Sequence, residues 1–529
     1  MTDNTNNVLS LDSAGAMDFF MKSNQYHSFE LPEYFVFDNL LQQVRAAVAD
    51  TPYDDCLSGE ALPDELTDVN FDILLNKDGR YAVRPLMLAN PFLYYFLVRE
   101  LCCEAAWPAV KSLFDKFRVP SITSCALPVI PKDKEAFHKS TVIFNWWKAM
   151  EQRSVELSME YRYMFASDIT NCYGSINPQA FDWAFALKGT TEETATSPIA
   201  ANLQRYLRAM QHGRNVGIPQ GSAIFDFLAE IILGYSDLLL HEAIEKAGIT
   251  APYEILRYRD DYRIFCNDRD ALERISYTLQ HVLESLNFRM NSKKTMISES
   301  IITDAIKPDK LAYIYNTPVY NKKGVDFDSF EKHMLFILMF ARKYPDSGSV
   351  RTLLSDLDKR IEKQLETNTF IPGGKVRAMA AICLQIALEN VGSSHYALRV
   401  ISRMVDSLEQ PDEQSYIIDK VRARLISQPN STYTQLWLQN MTYSHDLEQG
   451  TTPYDVRLCR IAAGEDIDLW DNTWLSPAIR DHVATDSIVD RDLLADLTSI
   501  ITFRETRAYT SPYDGDEDGS SDGEIIIEL

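Results

Sequence analysis

What the chain has little of narrows its chemistry first. Its 529 residues hold 8 cysteines, none in a CxxC spacing. Neither a zinc ribbon nor a disulfide framework is indicated, and a reducing, cytoplasmic setting is expected. No apolar run reaches membrane-spanning length; the best, Met334 to Ala341, is far too short, so no membrane partner is expected. The opening Met1-Thr2-Asp3-Asn4-Thr5-Asn6-Asn7 lacks the basic-then-apolar layout of a secretory leader. Positive charge is scarce: 52 Lys and Arg stand against 76 Asp and Glu, a net charge of −24. That argues against indiscriminate nucleic-acid binding over the whole surface and leaves room for a local basic channel. A clean fixed-period repeat is missing, and so is the regular strand–helix alternation of a doubly wound parallel sheet.

What is present centres on two adjacent carboxylates. Asp260 and Asp261 sit between Glu254-Ile255-Leu256-Arg257-Tyr258 and Tyr262-Arg263-Ile264-Phe265-Cys266, a pattern that predicts two short strands and a tight turn. Such a pair taken alone is commonly a solvated turn. Upstream, however, Tyr161-Arg162-Tyr163-Met164-Phe165-Ala166-Ser167-Asp168-Ile169 reads as an apolar strand ending in another acid. A central strand rarely buries a lone Asp without a partner. If the two elements lie side by side, Asp168 and Asp260 meet at one sheet edge with Asp261 in support. Hard carboxylate oxygens there suit a pair of Mg²⁺ ions, with Mn²⁺ as a substitute.

Elsewhere, a strand carrying Arg84 precedes a helix opened by Asn90-Pro91. A basic loop, Pro131-Lys132-Asp133-Lys134, follows it. The glycine-rich loop Gly213 to Ser222 leads into a long apolar helix from Ala223 to about Leu240, and an amphipathic helix runs from Ala271 to about Leu286. Basic residues gather between Arg289 and Arg360, interspersed with acids. Beyond about Phe330 the pattern is helical, and Ser511 to Leu529 is Gly-, Ser- and acid-rich, with 7 acids from Asp514 to Glu528. The fold class expected is α+β.

Four segments, in order, carry a specific resemblance. Phe165-Ala166-Ser167-Asp168-Ile169-Thr170-Asn171-Cys172-Tyr173, Gly217-Ile218-Pro219-Gln220-Gly221-Ser222, Tyr258-Arg259-Asp260-Asp261 and Asn291-Ser292-Lys293-Lys294-Thr295 resemble the successive catalytic motifs of reverse transcriptases. The resemblance implies a right-hand polymerase: an N-terminal extension (1–75), fingers (76–160), a palm (161–325), an α-helical repeat-like domain in place of a thumb (326–508) and an acidic disordered tail (509–529). It assigns Asp168, Asp260, Asp261 and Ile169 to the metals and Tyr173 to the floor under the sugar of a dNTP. Gln220 and Gly221 would face nucleotide and template, and Lys294 the triphosphate. Arg84 would contact the triphosphate from the fingers, with Lys132 or Lys134 as rivals. Arg259 stands where many family members carry a small residue, and is expected to pair with a primer or template phosphate or with a local acid.

The helical C-terminal half, with Tyr433-Thr434-Gln435-Leu436-Trp437-Leu438-Gln439, resembles the defence-associated, abortive-infection reverse transcriptases of bacteria. That implies RNA-directed DNA synthesis in antiviral defence, with dNTPs, an RNA template or non-coding RNA, and nascent DNA as partners. It also implies a homo-oligomer, trimer or hexamer, and either templated or protein-primed synthesis. Tyr509 and Tyr513 are candidate primers. The alternatives are a catalytically silent RNA-binding scaffold, an RNA-dependent RNA polymerase, and an intron- or retron-type enzyme.

Overall fold

Period-2 alternation in a few short segments builds the centre of the molecule. The computed structural model describes residues 7–77, 81–130, 147–321, 330–366 and 373–507. Lys132, Lys134, Tyr509, Tyr513 and the acidic tail lie outside them. Among the described residues there are two sheets. One is an antiparallel hairpin of β1 (Phe71–Asn76) and β2 (Val83–Leu88). The other has the order β3-β5-β6-β4-β7, with β3 (Ile122–Ser124), β4 (Tyr163–Asp168), β5 (Tyr253–Tyr258), β6 (Asp261–Cys266) and β7 (Met296–Ser298). Its pairings are antiparallel except β3 with β5.

Each strand of this sheet shows alternate residues to opposite faces. Ile255, Tyr262 and Ile264 join the main core, while Met164, Leu256 and Phe265 join a smaller cluster with Met150, Leu157, Ile301 and Ala305. Asp168 and Asp261 fall in step with Met164 and Phe265, at the open end of the smaller cluster's face.

Helix boundaries follow local chemistry. α1 (Pro91–Cys102) starts where the Asn90 side chain accepts hydrogen bonds from the Phe92 and Leu93 amides, with Pro91 in the first turn. α2 (Cys172–Ser175) follows β4 at once. α3 (Ala223–Lys246) is capped by Ser222 and is buried on nearly every side over its first four turns. α4 (Arg269–Ser285) is amphipathic, with Leu272, Ile275, Leu279 and Leu283 inward. The rest is helical: α5 (Phe330–Lys343), α6 (Ser349–Glu366), α7 (Gly373–Glu389), α8 (Ser394–Asp406), α9 (Pro411–Ile426) and α10 (Thr432–Gln449). α5 packs on α7, α6 on α8 and α8 on α10.

The residues before β1 are tied to the C-terminal half of the chain. Phe35 bridges to Val489 and Leu57 to Leu475. Trp470 donates its indole N–H to the Leu88 carbonyl at 3.1 Å, and Arg351 pairs with Glu30 at 2.5 Å. Among the described residues, no helix is long and apolar enough to cross a membrane.

Candidate active site

The three acids lie at the same end of the β4–β6 pair. Asp168 is the register partner of Asp261, and directly opposed residues of an antiparallel pair share a face. Asp260 lies in the turn, its carbonyl accepting the Ile169 amide at 3.0 Å. Asp168 is thus the register partner of Asp261, with Asp260 beside them in the turn and within the field of both. The turn takes only Arg259 and Asp260, so Asp261 is the first residue of β6. Ile169 has a hydrocarbon side chain, buried in the core, so its backbone carbonyl is the one group it could offer a cation.

Electrostatics mark the same spot. Burial, then the charges of Asp261 and Asp168, push the Asp260 carboxyl up to about 6. Burial also raises Asp261, against the pull of Lys307 and Lys294. Asp168 is 6% exposed, and its Oδ1 is buried without a hydrogen-bond partner. A buried, unpartnered carboxylate oxygen is costly, and a hard cation removes the cost. Among the described residues no three acidic, His or Cys side chains already converge into a cage. Instead the Lys294 ammonium sits on Asp168 Oδ2. Burial works against that charge, but the bond to Asp168 and the fields of the three acids outweigh it and raise the lysine. The donor set fits a divalent ion, with Lys294 supplying positive charge beside it.

The fourth motif is tied to the first. The Asn291 amide donates to the Asp168 carbonyl at 2.8 Å, and the Ser167 and Thr295 hydroxyls are 2.8 Å apart. The glycine-rich loop is tied to α2: the Ile218 amide donates to the Tyr173 carbonyl at 2.9 Å. Gly217 has φ +79°, and a Cβ there would lie 3.3 Å from the Gly174 backbone. Gly221 (φ +127°) lies against β2, where a Cβ would meet the Met87 carbonyl at 3.2 Å. The close approach these glycines permit includes one to the protein's own backbone. Gln220 is half-buried beside them, its carbonyl accepting the Met87 amide at 2.9 Å.

Arg84, on β2, is paired with Asp346 at 2.9 Å. At the turn end of the same hairpin, where its amide donates to the Ala82 carbonyl at 2.8 Å, is Lys77, a residue without an obvious motif. Burial and the Arg84 charge lower the Lys77 ammonium, and it also feels Asp260 and Lys294. The missed signal was a lysine directly after a strand whose partner strand carries Arg84.

Arg259 does not reach outward to a phosphate. Its backbone leaves the strand at φ +53°, so alternation along β5 ends at Tyr258. Its guanidinium meets Asp226 of α3 at 2.5 Å, the local-acid alternative. The Tyr173 hydroxyl donates to the other oxygen of Asp226 at 2.6 Å. One turn and three turns on, Glu230 and Asp237 hold the fully buried Arg257 at 2.9 and 2.8 Å. Sequence reading took α3 as apolar throughout. The signal was there: acids at 226, 230 and 237 share one helical face, and arginines at 257 and 259 offer partners.

Residues 112–331 match the family described as reverse transcriptase (RNA-dependent DNA polymerase). Asp168, Tyr173, Gln220, Asp260, Asp261 and Lys294 lie inside that span, and Lys77 and Arg84 lie before it. No curated protein matches the chain. Among solved structures it is similar to apo telomerase from Candida tropicalis, at 11% identity over 68% of this chain and 70% of that one, with a TM-score of 0.31. It is also similar to telomerase from Candida albicans in complex with the TWJ fragment of telomeric RNA, at 12% identity over 67% of this chain and 66% of that one, with a TM-score of 0.30. The chain spans about two thirds of the length of these structures. Residues 112–331 form a reverse transcriptase domain, and the chain is a nucleotidyltransferase of the RNA-directed DNA polymerase type.

Proposed function

We propose that this reverse transcriptase domain joins dNTPs to a hydroxyl primer at the Asp168–Asp261 strand end, in the service of antiviral defence. The observation that carries the chemistry is the buried, unpartnered Oδ1 of Asp168, a residue whose register partner is Asp261. Asp168, Asp260, Asp261 and the Ile169 carbonyl would hold two Mg²⁺ ions, which when bound activate the attacking hydroxyl and neutralise pyrophosphate. Lys294, whose ammonium sits on Asp168, offers a proton to the leaving group. Lys77 and Arg84 bring positive charge to the triphosphate from the β1–β2 hairpin. Tyr173 forms the floor under the sugar, where a bulky ring disfavours a 2′-hydroxyl, and Gln220 lies on the loop beside it.

The defence role and the bacterial setting rest on the resemblance of the helical C-terminal half. On the same ground, the template is RNA or a dedicated non-coding RNA, the site of action is the cytoplasm, and the active form is a homo-oligomer, trimer or hexamer. Protein priming by Tyr509 or Tyr513 is the alternative to a nucleic-acid primer.

The test is purification from expressing cells, sequencing of the nucleic acid that travels with the protein, and incubation with Mg²⁺ and labelled dNTPs. A defined RNA and label incorporated into DNA are expected. Absence of incorporation, with protein of intact secondary structure, would favour the silent scaffold.

A further inference from the structure

The departure at Arg259 leads to a residue outside the four motifs. Asp226, in the first turn of α3, is 6% exposed and divides its carboxylate between two partners. Oδ1 accepts the Tyr173 hydroxyl at 2.6 Å, and Oδ2 accepts the Arg259 guanidinium at 2.5 Å. Arg259 holds φ +53°, a conformation disfavoured for any residue with a side chain. Its carbonyl is also fixed, accepting from Arg257 at 3.2 Å. Arg259 immediately precedes Asp260, so what anchors it anchors the acidic turn.

We propose that Asp226 is a positioning residue for sugar selection, holding the Tyr173 ring in place from the same carboxylate that fixes the Arg259 turn. The inference rests on the reading of Tyr173 as the floor of the nucleotide sugar. Two consequences follow from the hydrogen bond. A ring tethered at its far end cannot swing away from a 2′-hydroxyl. A phenol whose proton is committed to Asp226 also has no donor left for a ribose hydroxyl. Both raise the preference for dNTPs over rNTPs, and both vanish together when the carboxylate is removed.

The test compares kcat/KM for dATP and ATP on the full chain with Mg²⁺, both with and without a poly(rU)·oligo(dA) template–primer. Tyr173→Ala serves as reference. Asp226→Ala is expected to lower the dATP:ATP ratio about tenfold, within the range a shaped pocket provides. Tyr173→Phe, which keeps the ring and loses the tether, is expected to fall between wild type and Asp226→Ala. If Asp226→Ala does not fold, Asp226→Leu with Arg259→Leu removes the charge pair and the tether together, and the same tenfold fall is expected. A ratio within twofold of wild type in the Asp226 variants, alongside a lowered ratio in Tyr173→Ala, overturns the inference and leaves the polymerase reading standing. An unchanged ratio in Tyr173→Ala, or no incorporation of either nucleotide by wild type, overturns the reading and the inference with it. A purely structural role for Asp226 would lower the melting temperature without moving the ratio.

Discussion

Arg257→Met tests how the acidic turn is supported from below. Arg257 is fully buried, and one guanidinium serves two buried carboxylates: Nη1 meets Glu230 at 2.9 Å, and Nη2 meets Asp237 at 2.8 Å. Ser124 adds a hydroxyl to Glu230 at 3.0 Å. Methionine fills much of the volume but leaves two acids without a counter-charge. Removing one partner of a buried ion pair costs about 3–5 kcal/mol. Unfolding entropy of about 2.1 cal/mol/K per residue gives about 1.1 kcal/mol/K if the 529 residues melt as one unit, so Tm should fall by about 3–5 °C. The assay is differential scanning calorimetry. Arg205→Met, which breaks the exposed pair with Asp54 (45% and 68% exposed), should move Tm by less than about 1 °C. Adding Glu230→Gln and Asp237→Asn to Arg257→Met should restore at least half the loss, because it removes the stranded charges.

The deficit should also depend on pH. Burial, opposed by Arg257 and reinforced by Glu230, holds the Asp237 carboxyl up at about 6. A carboxyl raised by folding gives stability that is full at low pH and lost as pH rises through its folded value. Without Arg257 that value climbs further, so the gap between variant and wild type should be smaller at pH 5 than at pH 8. A loss no larger than that of Arg205→Met, or a gap that widens on acidification, would refute the reasoning.

Other expectations concern substrate and backbone. Lys77→Ala and Arg84→Ala should each raise KM for dNTPs about 10- to 100-fold, the worth of a charge-assisted hydrogen bond, with kcat changed less. Steady-state kinetics decides, and an unchanged KM removes them from the triphosphate path. Lys294→Gln should lower kcat about 100-fold through loss of a proton donor, and rates equal to wild type in a single-turnover experiment would exclude that role. Gly217→Ala should cost about 1–2 kcal/mol, because φ +79° disfavours a side chain and the Gly174 backbone lies 3.3 Å from the added carbon. Chemical denaturation reads this, and a neutral substitution would mean the loop is free to shift.

Much of the site is visible in the sequence because its chemistry is local. Strand patterns ending in Asp168 and turning at Asp260-Asp261 announce themselves by interrupting apolar runs. The strands carry them to one edge, and Lys294 arrives by a short connection after α4. Register was not visible, since pattern alone does not say that Asp168 opposes Asp261 rather than Asp260. Nor were the acids of α3, because a helix buried all round hides its polar face among apolar neighbours. Arg259 stands out beside the acidic pair, yet its partner Asp226 lies 33 residues away. The first seventy residues were opaque for the same reason at longer range. Leu57 meets Leu475 and Phe35 meets Val489, contacts that leave no periodic trace in either segment. Lys77 was missed because its significance lies in the field of Asp260 and Lys294, which only the folded hairpin creates.

The central claim is that Asp168, Asp260 and Asp261 act as one cation site. Isothermal titration of Mn²⁺ into the purified chain, with dATP present and absent, tests it directly. Two ions per chain are predicted with dATP, and a loss of both in Asp260→Asn with Asp261→Asn, while Glu60→Gln at the exposed surface binds as wild type does. Equal Mn²⁺ binding by wild type and the doubly substituted chain would contradict it.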